Sequence, residues 1–289
     1  MTNASPAVAS PALIERYLAC PVTHRPLNVE GDTITCPESG FTGSIRDGVA
    51  VVSSVVPSFF DSRFEVMQQG HELEGEKSFC YSQQTALLES YFNAGQVLLD
   101  VGCGPSLPYA KHPDSFVIGL ESSFESIRAN VDVDLRVFGS AAALPLPDAS
   151  IDIVICFYSI HHMVGDTRRQ TADNVASAFR EFGRVLKPGG FLFVFEMTPI
   201  IPFVFFQALA WNTVRSIAPK ALDMFFFSTK TLTQIADEAL PKGVILERIF
   251  FGSSAFTIIP PVFSLPWLKV PRLLYPLDAK LYKWRKINH

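Results

Sequence analysis

The sequence predicts an α/β protein: a doubly wound, mostly parallel sheet with an antiparallel closing strand, a small N-terminal β unit ahead of it and an aromatic-rich insertion within it. Three observations predict it. Four short runs, QVLLDVG (96–102), SFVIGLE (115–121), DIVICFY (152–158) and GFLFVFE (190–196), are apolar on both faces, as strands buried between two helical layers must be. Helix-like segments separate them, and an open parallel sheet with right-handed crossovers satisfies the order β-α-β-α-β. A chain of 289 residues with 48% hydrophobic and 18% charged content supplies a sizeable core and excludes intrinsic disorder.

Taken in order, residues 1–12 are rich in Ala, Ser and Pro and read as a leader without structure of its own. Residues 13–56 hold short β-like runs (LNVE, TITC, VAVVS) divided by turn residues such as Gly31-Asp32 and Asp47-Gly48, the pattern of a small β unit. The main domain is expected over 57–264. Its first helix, around Gln83 to Phe92, precedes a stop at Gly95, and a later one puts Val175, Ala178, Phe179, Phe182, Val185 and Leu186 on one face with Gly189-Gly190 as its expected end. An insertion over 197–227 follows the fourth apolar run, then Ser228 stands as N-cap to the helix TKTLTQIADEAL. Val244 to Phe251 and Ala255 to Ile259 read as a closing pair of strands. Residues 265–289 remain as a basic tail.

Charge and cysteine usage bound the function. The formal net charge of −4 removes a global basic field, so no nucleic acid is expected. Five scattered cysteines (20, 36, 80, 103, 156) follow an N-terminus without the basic and apolar regions of a secretory signal, so a cytoplasmic location with reduced thiols is expected. The longest uncharged stretch, Ile249 to Leu268, contains Gly252, Pro260, Pro261 and Pro266 and does not read as a spanning helix.

The chemistry is concentrated at VLLDVGCGP (97–105), where an apolar strand runs into Gly102 and Gly104. Two glycines at a strand's carboxyl end let a ligand approach the backbone more closely than any Cβ permits, in the crevice where open α/β sheets bind ligands. Seventeen residues after Gly104 the next strand ends in Glu121, a carboxylate able to accept hydrogen bonds from both hydroxyls of a ribose. The dinucleotide fingerprint G-x-G-x-x-G is not completed, because position 107 is Leu. Two further segments, GSAAALPLPDASIDIVICFYSIHHM (139–163) and REFGRVLKPGGFLFVFE (180–196), follow at one-strand intervals.

With these motifs the chain resembles a class I S-adenosylmethionine-dependent methyltransferase of the type 11 kind, a Rossmann-like fold. The likeness is strong over about Gln96 to Glu196. It implies that S-adenosylmethionine is the cofactor and S-adenosylhomocysteine the product, held by Asp100, Gly102, Cys103 and Gly104 at the methionine portion, Glu121 and Ser122 at the ribose, and Ser140, Ala141 and Phe157 around the adenosyl group. Two positions depart from the family pattern: Ser106 stands where a third glycine is common, and Ser140 where an aspartate is common.

Methyl transfer from a sulfonium is an in-line displacement served largely by positioning, although an O–H acceptor needs a base for its proton. His161 and His162, after the strand DIVICFY, are the candidates, as base or as wall of the acceptor site. The insertion's aromatic residues, in a chain with 25 Phe, suggest a lid over a small apolar or aromatic acceptor, with Tyr158, Phe203, Phe206 and Trp211 lining the pocket. The tail from Lys269 to His289 carries a net charge of +5 interleaved with apolar residues, so it reads either as a final helix packed by its apolar side or as a peripheral contact with an anionic membrane.

Near the N-terminus, Cys20-Pro-Val-Thr-His and Cys36-Pro-Glu-Ser-Gly resemble the two knuckles of a zinc ribbon, but Thr23 and Ser39 replace the second cysteine of each. Hydroxyls are poor zinc ligands, so no metal is expected. The reading that unites these features is a methyltransferase for a small, lipophilic acceptor such as a secondary metabolite, quinone or lipid-linked molecule. An RNA methyltransferase and a non-catalytic partner keeping the same fold are the alternatives, and the residues leave the oligomeric state and the acceptor atom open.

Overall fold

The structure is a computed structural model that describes residues 9–53, 79–217, 224–251, 256–258, 269–271 and 277–287. Its centre is a Rossmann-like parallel sheet built from β5 (Val97–Val101), β6 (Phe116–Glu121), β7 (Leu135–Phe138), β8 (Ile151–Phe157) and β9 (Leu186–Pro199). The chain steps outward from β5 to β6 and β7, then returns to place β8 and β9 on the other side of β5. The reversal between β5 and β8 opens a crevice at their carboxyl ends.

Alternate residues of each strand enter two apolar layers. On one side Leu99, Val101, Ile118, Leu120, Val154 and Cys156 face Phe179 and Phe182 of α4 (Arg168–Val185) and Leu232 of α6 (Thr229–Ala239). On the other, Leu98, Val117, Ile153 and Ile155 pack with Leu88 of α2 (Phe79–Glu89) and Phe124 and Ile127 of α3 (Phe124–Ala129). This two-sided burial is why the strands read as unbroken apolar runs. Each fully buried Leu, Ile, Val or Phe contributes about 1.5–3 kcal/mol.

Four expectations are corrected. The leader is ordered by its end: Ala9 is buried, and Ser10 Oγ accepts the Leu13 N–H to cap α1 (Pro11–Tyr17). The N-terminal β unit is not separate. Strands β1 (Asn28–Glu30), β2 (Thr33–Cys36), β3 (Phe41–Arg46) and β4 (Val49–Val51) form a meander whose last strand lies parallel to β7, extending one continuous sheet. Tyr17 of α1 stacks on Phe116 of β6 at 4.2 Å, sealing the joint.

The long helix α4 stops at Val185, before Gly189-Gly190, and β9 starts at once. Gly190 serves strand approach instead, since a Cβ there would lie 2.8 Å from the Asp152 carbonyl oxygen. The fourth correction concerns the C-terminus. Strand β10 (Val244–Phe251) does not pair with β11 (Phe256–Ile258), which forms a small ribbon with β12 (Lys269–Pro271). Its partner is β13 (Leu277–Lys286), inserted antiparallel between β9 and β10.

Half of the expected basic tail is therefore an interior strand. Leu281, Tyr282 and Trp284 are fully buried, with Trp284 edge-on to Phe179 at 5.6 Å. Two of its lysines find partners inside the fold. Lys283 Nζ meets Glu247 at 2.6 Å and the Tyr91 hydroxyl at 2.8 Å, and Lys286 Nζ donates to the carbonyls of Gly183 and Leu186 at the C-terminus of α4, where the helix dipole favours a cation. Among the described residues no helix is long and apolar enough to cross a membrane.

The two ribbon-like knuckles do meet. Cys20 Sγ lies 3.2 Å from Ser39 Oγ and Cys36 Sγ 3.6 Å from Thr23 Oγ1, so each sulfur faces the hydroxyl of the opposite knuckle. Hydrogen bonds now join the loops at the four positions that zinc ligands would take. Among the described residues no group of three or more metal-ligating side chains occurs.

Candidate active site

The carboxyl ends of β5, β6 and β8 assemble the site. Gly102 and Gly104 follow β5 with φ of 71° and 60°, in the left-handed region that costs other residues about 1–2 kcal/mol. They differ in surroundings: a Cβ at Gly102 would collide with Ser159 Oγ, whereas nothing lies within 4 Å of one at Gly104. Gly102 therefore lets the turn after β8 press against the loop, and Gly104 leaves open space above its backbone. Asn130 Nδ2 donates to the Gly104 carbonyl at 2.9 Å and holds the loop from below.

Glu121 ends β6 beside this loop. Its Oε2 accepts the Gly104 N–H at 3.1 Å, and its Oε1 accepts the N–H groups of Ser122 and Ser123 at 2.7 and 3.0 Å. Burial raises its pKa, and the three backbone donors work against that rise. Asp100, on β5, is fully buried; Oδ2 accepts the Tyr109 hydroxyl at 2.7 Å, while Oδ1 is without a partner. Burial pushes Asp100 up to about 7, the Tyr109 hydrogen bond opposing and the charge of Glu121 adding to it.

Cys103 turns away from the open space: its Sγ packs where Gly119 lacks a side chain, 2.9 Å from the position a Cβ would take there. Ser140 is exposed and its hydroxyl accepts the Ala142 N–H at 3.3 Å, so the side chain that replaces an acid is spent on a local turn, with half-buried Ala141 beside it.

An orphaned carboxylate oxygen on Asp100, a backbone left open at Gly104 and a carboxylate at the end of β6 together fit an adenosyl ligand carrying an amino acid portion. Glu121 and the backbone of 102–104 would hold it.

A second group stands next to the first. The single-turn 3-10 helix Ile160–His162 follows Ser159, whose hydroxyl backs Gly102. His161 Nδ1 lies 2.6 Å from Glu196 Oε1, and the His161 N–H donates to Oε2 at 3.1 Å. Glu196 is fully buried on β9, and an ionised carboxylate there would only accept, a pairing in which His161 Nδ1 is the donor. His162 lies 4.2 Å from the His161 ring, centroid to centroid. Tyr158 sits at φ 50°, a left-handed conformation uncommon for so bulky a residue, and its hydroxyl donates to Gln84 of α2 at 2.7 Å, while Phe157 packs against it and Phe195.

The insertion divides. Helix α5 (Ile201–Ile217) is pinned by Gln207, which both donates to and accepts from the Phe226 backbone at 2.9 and 3.0 Å. Phe226 in turn stacks on His161 at 5.0 Å, and Phe203 lies 6.5 Å from Phe226. Trp211 is buried against Phe225 in the core, and Phe206 points to solvent at 66% exposure, so neither borders the cavity between α4, α5 and the 225–228 segment. A cavity of about 280 Å³ lies between α4, α5 and the 225–228 segment, lined by Arg168, Val204, Gln207, Ala208 and Phe226 among others.

Sequence reasoning missed Glu196, Tyr109 and Gln84. Glu196 ends the apolar run GFLFVFE within β9, and that lone carboxylate was the available signal; the other two come from loop and helix positions with no pattern of their own.

Comparison with known proteins shows what the domain is similar to. Residues 99–194 match a family model described as a methyltransferase domain. The chain is 39% identical over 109 residues to 27-O-demethylrifamycin SV methyltransferase of Amycolatopsis mediterranei, across 34% of this chain and 37% of that protein. It is 29% identical over 145 residues to tRNA (carboxymethyluridine(34)-5-O)-methyltransferase of Arabidopsis thaliana, across 50% of this chain and 31% of that protein. The matches thus span about a third of the length of these relatives. Among solved structures, the [4+2]-cyclase SpnF superposes with a TM-score of 0.57 at 17% identity, over 81% of this chain and 98% of that one, which shows a shared fold.

Proposed function

We propose that this chain, whose residues 99–194 form a class I S-adenosylmethionine-dependent methyltransferase domain, methylates a hydroxyl group of a small apolar or aromatic acceptor, with His161 as the base. The observation that carries this reading is the buried His161–Glu196 pair one turn away from the Gly102 loop. When bound, S-adenosylmethionine supplies an electrophilic methyl group on a sulfonium. The chain's own work is to hold the donor through Glu121 and the 102–104 backbone, to exclude water with Phe226 and Phe203, and to take a proton at His161 Nε2. Glu196 fixes the tautomer and stabilises the imidazolium that results.

Calorimetric titration with S-adenosylhomocysteine tests the donor half: the native protein binds, and Glu121→Ala raises Kd about 10–100-fold by leaving three backbone donors without an acceptor. Transfer of labelled methyl to a panel of phenols and other hydroxylated apolar compounds tests the acceptor half. There His161→Ala and Glu196→Gln lower kcat about 10²–10⁴-fold at saturating donor. Undiminished turnover by His161→Ala, or transfer to tRNA in preference to every small acceptor, would overturn it.

A further inference from the structure

Among the described residues, helix α5 buries one face and leaves the other uncovered. Trp211 is 1% exposed, and Val204, Gln207 and Ala208 face the cavity, but Ile201, Phe205, Phe206 and Leu209 are 74%, 72%, 66% and 81% exposed. Ile201, Phe205 and Leu209 are spaced four apart, so they form one stripe, and no charged residue occurs between Ile201 and Val214. A helix face in water normally carries charges. Four such side chains present roughly 500 Å² of contiguous apolar surface, at the upper end of what a free-standing protein shows.

The surroundings of the stripe narrow what covers it. Arg168 and Arg169 line the cavity with Val204 and Ala208, which stand three residues on from Ile201 and Phe205 and so adjoin one edge of the stripe; both come from the first turn of α4, where the helix dipole disfavours cations. Arg168 makes no ion pair among the described residues, and Arg169 reaches only Asp173, at 4.0 Å with both side chains largely exposed. Lys230, exposed at the start of α6 between the cavity-lining Ser228 and Thr231, adds a third cation. A second copy of the chain would need about 800 Å² per partner for a stable contact, more than this stripe offers. A bilayer needs no matching shape; it takes an apolar face flanked by cations.

We infer that the Ile201–Leu209 face of α5 docks the protein onto an anionic lipid surface, inserting Phe205, Phe206 and Leu209 below the headgroups while Arg168, Arg169 and Lys230 meet the phosphates. The contact lies along the helix face and does not span, because Trp211 is rooted in the protein core. The contact differs from the one suggested by the basic residues after 269, whose strand is interior. The inference stands apart from the methyl-transfer reading.

Co-sedimentation of the full chain with vesicles of phosphatidylcholine and phosphatidylglycerol in equal parts, and with phosphatidylcholine alone, tests it. The native protein partitions to the anionic vesicles and is released by high salt. Phe205→Glu/Leu209→Glu lowers partitioning at least about tenfold, and Arg168→Glu/Arg169→Glu lowers it several-fold. Both glutamates of the first variant replace solvent-exposed side chains, so its thermal unfolding and its heat of binding to S-adenosylhomocysteine stay native; if it misfolds, the arginine variant decides. No partitioning of the native protein, equal partitioning of the variants, or a dimer in solution that Phe205→Glu/Leu209→Glu dissociates would overturn the inference.

Discussion

Replacing Asp100 with Asn should change how stability depends on pH. The native carboxyl, raised by burial from 3.8 to about 7, keeps its proton over a range in which the unfolded chain has released it. Between about pH 4 and 7 the native state therefore binds more protons than the unfolded one, so the free energy of unfolding falls as pH rises through this window and levels off above it. A shift of about three units at 1.36 kcal/mol each caps the loss at about 4 kcal/mol, and relaxation around the buried group brings it to about 2–4 kcal/mol. Asn cannot ionise but still accepts the Tyr109 hydroxyl, so the variant lacks this part of the slope. Urea unfolding near pH 4.5 and near pH 8, with unchanged m values, gives the two differences. Parallel pH profiles for native protein and Asp100→Asn would refute the reasoning, since Asp100 would then titrate as it does in the unfolded chain.

Gly102→Ala and Gly104→Ala should differ although both glycines have positive φ: the first adds a collision with Ser159 to the conformational cost and loses about 2–5 kcal/mol, the second loses about 1–2 kcal/mol. Thermal and denaturant midpoints measure the gap, and equal losses would remove the packed contact between the two loops. Trp284→Ala, which empties a fully buried site against Phe179 and Tyr282, should cost about 3–5 kcal/mol. A chain ending at Pro276 loses β13 and strands β10, and is expected to be insoluble on expression; a soluble, cofactor-binding product would contradict the interior placement of that strand.

The parallel core was legible because its strands announce themselves. Runs such as VLLDV and DIVICF can be buried on both faces only in a sheet covered by helices, and the glycine pair with Glu121 one βαβ unit later locates the crevice. The segment from 277 to 286 was misread because alternating Lys and apolar residues suit a strand as well as a helix. The choice fell to β9, whose open edge offered Lys280 to Arg285 a full ladder of partners. Likewise Ile201 to Leu209 looked like a lid from its aromatic content alone, and only the anchoring of Trp211 and Gln207 shows that Phe205 and Phe206 turn outward.

What the sequence determined by itself is local or periodic: the order of the core strands and helices, the cap at Ser228, and the two glycines whose backbone demands no side chain. What the tertiary structure decided is pairing between distant positions. His161 meets Glu196 across 35 residues, Asp100 meets Tyr109 through a loop, and the N-terminal meander joins β7. Such contacts depend on which strands lie side by side, and a strand's pattern specifies how many of its faces are buried but not which neighbour buries them.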